Sequence, residues 1–457
     1  PQGDWSSDVC SSDLMAPYGE SSDVYGYSLG IRSADIYSER EKRRITKNTS
    51  CFYELNEQKI LVHLGQSEDI RAQLHLPLLQ LRNKQPQIPM GTAWKDGKLE
   101  IPNDRSLSLG KVLRDLTKSF FSEFNPLSGK EICLAVSLPL TSLIRCQLAE
   151  ACENCGFYVK SVIPEVEAYA CDAFAEKGDV LEESKPVVMV VFDDLYIHPF
   201  KVVMGNGTIH AEESERIQYG YEWLQSKVYH EYLDLCGESE IIDDNKKREY
   251  IRRVDRYLQT GERDGEHRYE DFENTVTTYY KTIKDELCES LNELRYPVVF
   301  CGFVHETKGL KEYLYNHMGN YTLCKDINPS AARGAVRCVQ QNRKVLNLGV
   351  QETISMPFKF GYQVRNVENV IFEEGTIPLC PKMEMWRVTE KTDALRLTFV
   401  REEGNYRMNH NHTIHLRREV TEQDALCFEV WIVNENAIYY HVRVDSEILC
   451  PLTMINP

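Results

Sequence analysis

The sequence predicts an α/β region followed by an all-β region, and three observations support this fold class. Residues 187–192 (VVMVVF) form an apolar run of strand length, followed by an acidic pair and a Gly-Asn-Gly turn at 205–207. Such a run predicts a buried strand that leads into a hairpin. Helix and strand patterns alternate on both sides of it, which is typical of a mixed α/β domain. Beyond Val345 the pattern changes to short extended segments separated by Gly, Asn and Pro.

Composition and charge exclude several classes of partner. The chain has 457 residues, 42% of them apolar, so it can bury a large core, and its length suggests about two to four domains. Its 53 basic and 70 acidic residues give a net charge of −17, which disfavours nucleic acids and anionic membranes as partners. No apolar run reaches membrane length and no signal-peptide pattern opens the chain, so we expect a cytoplasmic protein.

The first hundred residues give weak patterns. Residues 1–14 (PQGDWSSDVCSSDL) show no periodicity and precede Met15, and we interpret them as a non-native leader outside the fold. Residues 24–37 predict two strands joined near Gly30. The basic run 40–47 is interpreted as the solvated edge of a hairpin rather than a binding patch. Residues 67–102 are rich in Gln, Pro and Lys, which favours loops with one short helix.

Apolar periodicity predicts the remaining elements of the α/β region. Thr141 is placed to cap one helix at its start, and Gly156 to end it. The predicted elements are, in order, a helix at 109–124, a strand at 131–138, a helix from 141 to 156, a strand at 158–163, a helix at 168–174, the central strand and hairpin, a helix at 221–235, a charged helical subdomain at 238–270, a helix at 272–294, a strand at 297–302, a helix at 307–318 and a short helix ending at 334.

The cysteines and histidines do not predict a metal centre. Fifteen cysteines are scattered through apolar segments, which suits buried side chains in a reducing compartment. Cys152 and Cys155 form a lone CxxC on a predicted helix, where helix packing is favoured over zinc binding. His410, His412 and His415 have no carboxylate or thiolate near them in sequence, so a polar surface turn is favoured over a transition-metal site.

The end of the central strand has the frame of a phosphate-binding loop without its glycines. In such folds the strand ends in a carboxylate and a glycine-rich turn, because only a backbone without Cβ lets several N–H groups approach phosphate oxygens. Here Asp193 and Asp194 supply carboxylates, but the bulky residues Leu195, Tyr196 and Ile197 follow.

Several segments, in the same order along the chain, resemble the 70-kDa heat-shock chaperone family. Segment 298–340 resembles the last lobe of that family's ATPase domain, where a strand with two glycines and a helix precede INP and a Gly-Ala helix. The other matching segments are 135–174 with VxxVPA and NEPTAAA, 187–235 with the DLGGGT hairpin, 375–378 with NTTIP, 403–408 with GERAM and 427–438 with IEVTFDIDANGI. The resemblance extends from about Val24 to near residue 457.

This resemblance implies an actin-like two-lobed ATPase domain at 22–344, a linker at 345–356 and a β-sandwich that grips extended peptides at 357–457. No segment up to residue 457 matches the family's helical lid, and we expect either a naturally lidless protein or a fragment of a longer chain. The implied cofactor is ATP or ADP with Mg²⁺. The implied partners are unfolded or extended polypeptides, together with J-domain and nucleotide-exchange co-chaperones.

The positions of the family's nucleotide site are identified in this sequence, but many of them hold different residue types. Leu29, Gly30, Arg32, Glu165, Asp194, Gly220, Arg256 and Gly302 occupy matching positions. The first loop has lost its metal-directing carboxylate and both threonine hydroxyls, Lys201 replaces a later aspartate, and Phe303 and Val304 replace small residues where a base would enter. Glu165 and Asp194 are the remnants of the catalytic carboxylates, and the family's catalytic lysine has no identified counterpart.

These losses predict that ATP hydrolysis is abolished or strongly impaired. Phosphoryl transfer depends on positioning and on electrostatic stabilisation by metal and hydrogen-bond donors, and one lost preorganised donor costs about a hundredfold or more. Nucleotide binding is left open, since Tyr196 and Ile197 crowd the phosphate path while Arg32 offers a cation that could hold an anion.

The residues that match the family's peptide cleft are Phe360, Gln363, Met385, Leu395 and Leu397. Leu395 and Leu397 alternate as one face of a strand should. An apolar groove of this kind binds an extended segment through main-chain hydrogen bonds and a side-chain pocket. The alternative, given equal weight, is that these side chains pack the interior of the sandwich.

Three functions are therefore carried forward. The first is a chaperone-like protein that binds polypeptide without an ATP cycle, the second a working ATP-dependent chaperone, and the third a non-catalytic interaction scaffold. Asn347 interrupts the apolar linker run at 345–348, which argues against ATP-driven coupling between the domains.

Overall fold

The computed structural model describes residues 24–30, 33–49, 51–55, 59–64, 73–74, 98–101, 105–122, 130–136, 142–176, 181–205, 207–238, 243–263, 270–292, 295–341, 344–345, 353–364, 367–378, 382–434, 437–445 and 447–455. These residues form a mixed α/β structure with several sheets. The predicted leader at 1–14, Arg32, the predicted cap Thr141 and most of the predicted linker lie outside the described residues. Within the described part of the chain, no helix has the length and apolar character needed to cross a membrane.

The helices of the described residues all lie before residue 345. They are α1 (Leu109–Phe121), α2 (Ser142–Asn154), α3 (Glu165–Glu176), α4 (Tyr221–Leu235), α5 (Asp244–Thr260), α6 (Glu270–Ser290), α7 (Leu310–His317) and α8 (Ala331–Gln340), with a 3-10 turn at Phe303–His305.

The strands run through the whole chain. They are β1 (Val24–Leu29), β2 (Ser33–Ser38), β3 (Arg43–Asn48), β4 (Cys51–Leu55), β5 (Ile60–Leu64), β6 (Gln73–Leu74), β7 (Lys98–Ile101), β8 (Arg105–Ser108), β9 (Lys130–Val136), β10 (Phe157–Pro164), β11 (Val187–Phe192), β12 (Ile197–Gly205), β13 (Thr208–Glu213), β14 (Val298–Gly302), β15 (Lys344–Val345), β16 (Thr353–Met356), β17 (Lys359–Val364), β18 (Val367–Phe372), β19 (Gly375–Pro378), β20 (Lys382–Trp386), β21 (Thr392–Glu403), β22 (Tyr406–Val420), β23 (Leu426–Asn434), β24 (Ala437–Val444) and β25 (Glu447–Ile455).

The first sheet has the order β10-β9-β1-β2-β3, and we call it, with α1 and α2, the first sheet unit. Strands β1, β9 and β10 are parallel, and β1, β2 and β3 form antiparallel hairpins. Helix α1 begins where Ser108 accepts a hydrogen bond from the Lys111 backbone N–H. Its apolar face packs on the sheet, where Phe121 meets Tyr25 and Tyr27 edge to face.

The second sheet has the order β14-β11-β12-β13-β15, and we call it, with α4 to α7, the second sheet unit. All six residues of β11 are buried because the strand is covered on both faces. Val188, Val190 and Phe192 face the cluster formed with α4 to α7, whereas the alternate residues face α3 and α8. The predicted buried strand and the hairpin after it are confirmed, since β12 pairs with β13 as far as Gly205 and Thr208, and Gly207 has φ +72°.

Helices α3 and α8 cross at the junction of the two sheet units, and glycine permits the crossing. A Cβ on Gly334 of α8 would lie 1.7 Å from the Ala168 carbonyl oxygen of α3. The crossing is also held by charge, since the fully buried Asp172 carboxylate accepts hydrogen bonds from the Arg333 side chain at 2.7 and 2.9 Å and lies 2.6 Å from Arg337. These contacts fix the base from which the two units diverge.

Two four-stranded antiparallel sheets follow, β18-β17-β21-β22 and β20-β23-β24-β25, and together they form the C-terminal sheet pair. Both sheets contribute side chains to one apolar cluster, in which Phe360 stacks on Phe399 and Trp386 on Phe428. The opposite face of the second of these sheets contacts α2 through β23 and β25. The C-terminal sheet pair is therefore seated on the first sheet unit.

Two local predictions are corrected. Residues 67–102 were expected to be loops with a short helix, but their described parts form strands β6 and β7, and β7 pairs with β8 from Lys98 to Ser108. The histidines at 410, 412 and 415 lie on strand β22 rather than in a turn, because hairpin pairing with the preceding strand β21 holds this segment extended. Cys152 is buried in the apolar cluster of the first sheet unit, as expected for helix packing.

Candidate functional site

A cavity of about 550 Å³ opens between the two sheet units. Its walls come from the β1–β2 hairpin, the start of α3, the loop after β11 and the turn after β14. The lining residues are Ser28, Gly30, Ser33, Asp35, Arg44, Thr46, Glu165, Tyr169, Val191, Phe192, Asp193, Asp194, Tyr221, Gln259, Gly302, Phe303, His305, Glu306, Asn328 and Pro329.

Four residues of the sequence-predicted nucleotide site meet in this cavity: Gly30, Glu165, Asp194 and Gly302. Leu29 is instead buried in the core of the first sheet unit. Gly220 is the N-cap residue of α4, beside the cavity loop. Arg256 lies outside the lining, with a side chain 63% exposed and 3.8 Å from Glu262. Arg32 falls outside the described residues.

The turn between β1 and β2, which lines the cavity, is closed by a hydrogen bond within its own backbone. The Gly30 N–H donates to the Ser33 carbonyl at 2.9 Å.

On the adjacent wall, one oxygen of Glu165 accepts hydrogen bonds from the hydroxyls of Ser28 and Tyr169, each at 3.2 Å. Burial and the Glu165 carboxylate raise the pKa of Tyr169, so its hydroxyl remains a donor. Glu165 is therefore held in place by neighbouring side chains of the cavity wall.

The second loop, after β11, is folded on itself in the same way. The Asp193 N–H donates to the Tyr196 carbonyl at 2.9 Å, and the Asp194 N–H donates to the Asp193 carboxylate at 2.6 Å. In a phosphate-binding loop, N–H groups at such positions point at the ligand. Here they point at the loop's own oxygens.

The N-terminus of α4 is filled by the same loop. Helix N-termini bind anions because their first N–H groups lack partners within the helix. In this protein, three consecutive N–H groups at this end of α4 donate to carbonyls of the second loop. The bonds are Gly220 N to Leu195 O at 3.3 Å, Tyr221 N to Asp193 O at 3.1 Å and Glu222 N to Asp194 O at 2.8 Å. A Cβ at Gly220 would come within 2.3 Å of the Leu195 carbonyl carbon, so this glycine serves close packing of the loop.

Aromatic side chains of Phe192, Tyr221 and Phe303 line the side of the cavity where the family resemblance predicts a nucleotide base. Phe303 meets Phe192 and Tyr221 edge to face, with ring centroids 5.5 and 5.3 Å apart. Gly302 has φ +80°, and a Cβ there would lie 2.1 Å from the Phe192 carbonyl oxygen. Its role in this structure is the close approach of β14 to β11.

The electrostatic character of the cavity is acidic. Among the described residues that line it, five are carboxylates: Asp35, Glu165, Asp193, Asp194 and Glu306. Arg44 is the one Lys or Arg in that set, and its guanidinium lies 2.5 Å from the Asp35 carboxylate. A triphosphate placed here would meet an excess of like charge.

Sequence reasoning missed the β2–β3 side of the cavity and one histidine. Residues 40–44 are exposed and β3 is the edge strand of its sheet, as predicted for run 40–47. Asp35, Arg44 and Thr46 also form a hydrogen-bonded set on adjacent strands that lines the cavity, which was not predicted. His305 donates from Nε2 to the Phe300 carbonyl at 2.7 Å, and burial lowers its pKa, so the ring is neutral and Nδ1 is an acceptor. The alternation of polar residues along β2 and β3 was the available signal, but it does not say what the strands face.

The predicted peptide-binding residues do not line one open groove. Phe360 and Leu397 are buried inside the C-terminal sheet pair, and Leu395 packs against the same cluster. Met385 lies on the other sheet with 61% of its surface exposed. Gln363 is half-buried on β17. Some of the predicted cleft residues therefore pack in the core of the sheet pair, whereas Met385 is exposed on β20 at the edge of its sheet.

No protein-family model matches this chain, and no curated protein matches it significantly.

Proposed function

We propose that this chain is a heat-shock-70-like protein that has lost the ATP cycle and acts as a non-catalytic interaction scaffold. The proposed architecture is an actin-like two-lobed domain at 22–344 followed by a β-sandwich at 357–457. Two five-stranded sheets that diverge from the crossing of α3 and α8 support the first part. The C-terminal sheet pair supports the second.

One observation supports the loss of the ATP cycle: the N–H groups of Gly30, Asp193 and Asp194, and those of residues 220–222 at the α4 N-terminus, donate to the protein's own oxygens. A nucleotide would have to break these hydrogen bonds before gaining its own. Each lost donor costs about a hundredfold or more in phosphoryl transfer, and the acidic cavity adds repulsion. ATP or ADP with Mg²⁺ is therefore excluded as a working cofactor under this proposal. J-domain and nucleotide-exchange partners act on an ATP cycle, so the proposal does not require them.

Calorimetric titration of the purified chain with Mg-ATP and Mg-ADP tests this. We expect no saturable heat up to millimolar nucleotide and no release of phosphate. An active 70-kDa heat-shock chaperone, titrated under identical conditions, is the positive control. Micromolar binding with measurable phosphate release that is lost in Glu165→Gln would contradict the proposal, because it would assign Glu165 to a working site.

A second candidate function is binding of an extended polypeptide along β20. This strand is at the edge of its sheet among the described residues, and Met383 and Met385 alternate on it with 54% and 61% of their surfaces exposed. An exposed edge offers main-chain hydrogen bonds, and exposed methionines adapt to varied apolar side chains.

Fluorescence anisotropy with a labelled apolar heptapeptide separates the two candidates. A pure scaffold is expected to show no saturable binding. Saturable binding that is lost in Met385→Glu, but kept in the matched variant Met454→Glu on β25, would favour the edge of β20 as a peptide site. Binding that is indifferent to Met385→Glu would rule out this edge.

A further inference from the structure

The contact between α2 and the C-terminal sheet pair has the character of a protein interior. Tyr439 of β24 and Leu452 of β25 are 3% and 2% exposed and belong to the same apolar cluster as the core of the first sheet unit. A loosely docked domain would be expected to meet its neighbour through a more polar, partly hydrated surface. The two parts of the chain therefore share a core at this point.

A chain of four charged groups, three of them buried, crosses this contact. We call Glu153, Glu429, His441 and Arg443 the interface quartet. The Glu153 carboxylate of α2 accepts from His441 Nδ1 at 2.7 Å, and His441 Nε2 lies 2.5 Å from the Glu429 carboxylate. Arg443 donates to the other Glu429 oxygen at 2.9 Å. Glu153 and His441 are 1% and 0% exposed, so these contacts exclude water.

Two further contacts fix the positions of the quartet's side chains. The second oxygen of Glu153 accepts the Leu452 backbone N–H at 2.8 Å. The Arg443 guanidinium lies over the Tyr158 ring of β10, 4.9 Å from its centroid. The quartet is thus connected to both α2 and β10 of the first sheet unit. Every member of it touches another member and a neighbouring strand or helix.

Charge complementarity explains why the contact favours the docked arrangement. Burial lowers the pKa of His441, but the Glu153 and Glu429 carboxylates outweigh that effect and raise it to about 9, so the ring is an imidazolium. With His441 charged, the sheet side of the contact carries two cations and one carboxylate, and α2 contributes the balancing carboxylate of Glu153. Separating the surfaces would leave the quartet's members with a net positive charge on the sheet side and a negative charge on α2.

We propose that the interface quartet locks the C-terminal sheet pair onto the first sheet unit, so that the chain is one permanent body in the absence of any nucleotide. This goes beyond the proposed function, which concerns the cavity between the sheet units. A scaffold built in this way presents its binding surfaces in one fixed arrangement.

Hydrogen exchange and small-angle scattering of the full chain test the lock. Wild type without nucleotide is expected to scatter as a single compact body, with slow exchange at the amides of α2 and β24. His441→Ala leaves two buried carboxylates facing each other, and removing one partner from a buried ion pair is strongly destabilising. We expect exchange in α2 and β24 to accelerate by about a hundredfold or more and the radius of gyration to increase. The matched control, His410→Ala on the exposed part of β22, should change neither readout.

Two outcomes would overturn the lock. One is scattering from wild type that requires separated, independently moving bodies. The other is a His441→Ala variant whose exchange at α2 and β24 equals that of wild type. If His441→Ala does not fold, Glu153→Gln supplies the same test from the helix side, because His441, Glu429 and Arg443 remain together on the sheet. All measurements are made without nucleotide, so an unexpected affinity for ATP would refute the proposed function and leave this inference standing.

Discussion

Replacing Gly334 with alanine is expected to destabilise the fold by at least about 3 kcal/mol, even though alanine normally favours a helix over glycine by about 1 kcal/mol. The reason is the crossing of α8 over α3. The new Cβ would lie 1.7 Å from the Ala168 carbonyl oxygen, and that neighbour is helix backbone rather than a movable side chain. Overpacking of this kind costs about 1–3 kcal/mol where the surroundings can shift, and more where they cannot.

The surroundings of Gly334 have little room to shift. On another side α8 is pressed against β1, where a Cβ on Gly26 would lie 1.8 Å from the Ala332 carbonyl oxygen. Arg333 and Arg337 are also fixed to the buried Asp172. Moving α8 away from α3 would break these contacts as well.

Chemical denaturation followed by circular dichroism measures the effect. The matched control is Gly110→Ala in α1, where the nearest atom to the new Cβ is Glu150 Oε2 at 3.5 Å. That variant is expected to be unchanged or more stable by up to about 1 kcal/mol. Equal stability of Gly334→Ala and wild type would show that the helix crossing is looser than the structure indicates.

Replacing Glu167 with glutamine is expected to stabilise the protein by roughly 3 kcal/mol at pH 7. Glu167 of α3 is fully buried, and within the described part of the chain neither of its carboxylate oxygens has a hydrogen-bond partner. Burial raises its pKa from 4.5 to about 9, with a smaller contribution from Cys338. The carboxyl group is therefore neutral in the folded protein and ionised in the unfolded chain at pH 7.

The pH dependence follows from this difference. Below pH 4.5 the group is protonated in both states and imposes no penalty. Between 4.5 and about 9 unfolding releases a proton, so the free energy of unfolding falls by about 1.4 kcal/mol per pH unit. Above about 9 the folded state ionises as well and the loss levels off. Glutamine keeps the shape of the neutral acid but cannot ionise, so it removes this slope.

The free energy of unfolding of Glu167→Gln and wild type, compared at pH 5, 7 and 8.5, tests the assignment. The two proteins should differ little at pH 5 and increasingly at higher pH. Glu422→Gln in an exposed turn is the matched control and should follow wild type throughout. Parallel curves for Glu167→Gln and wild type would mean that Glu167 is ionised in the folded protein.

Much of the secondary structure could be predicted because its causes are local. The apolar run at β11 and the Gly-Asn-Gly turn after it specify a buried strand and a hairpin within about twenty residues. The helical spacing of Val112, Leu116 and Phe120 likewise specifies the buried face of α1. The bulky residues that follow the central strand, from Asp194 to Ile197, could also be recognised locally as different from a glycine-rich phosphate-binding loop.

The candidate site was predicted only in part. Gly30, Glu165, Asp194 and Gly302 lie at strand ends or helix starts, and the structure brings them to one cavity. Asp35 and Arg44 also line this cavity. Their positions on polar strands predict an exposed face, but they do not indicate whether that face meets solvent or a cavity. Phe360 and Leu397 show the converse, because apolar alternation predicts a covered face without saying whether a ligand or the opposite sheet covers it.

The sequence by itself determined the α/β-then-β order of elements, the buried faces of the main helices and strands, and the bulky residues that follow Asp194 where a phosphate-binding loop has glycines. Only the tertiary structure decided which backbone donors are already occupied, that Glu167 is buried with no hydrogen-bond partner among the residues the structure describes, and that Glu153 meets His441 across 288 residues of chain. The physical reason is range: periodicity and turn chemistry act between near neighbours. Burial, hydrogen-bond satisfaction and pKa depend on atoms that only folding brings together.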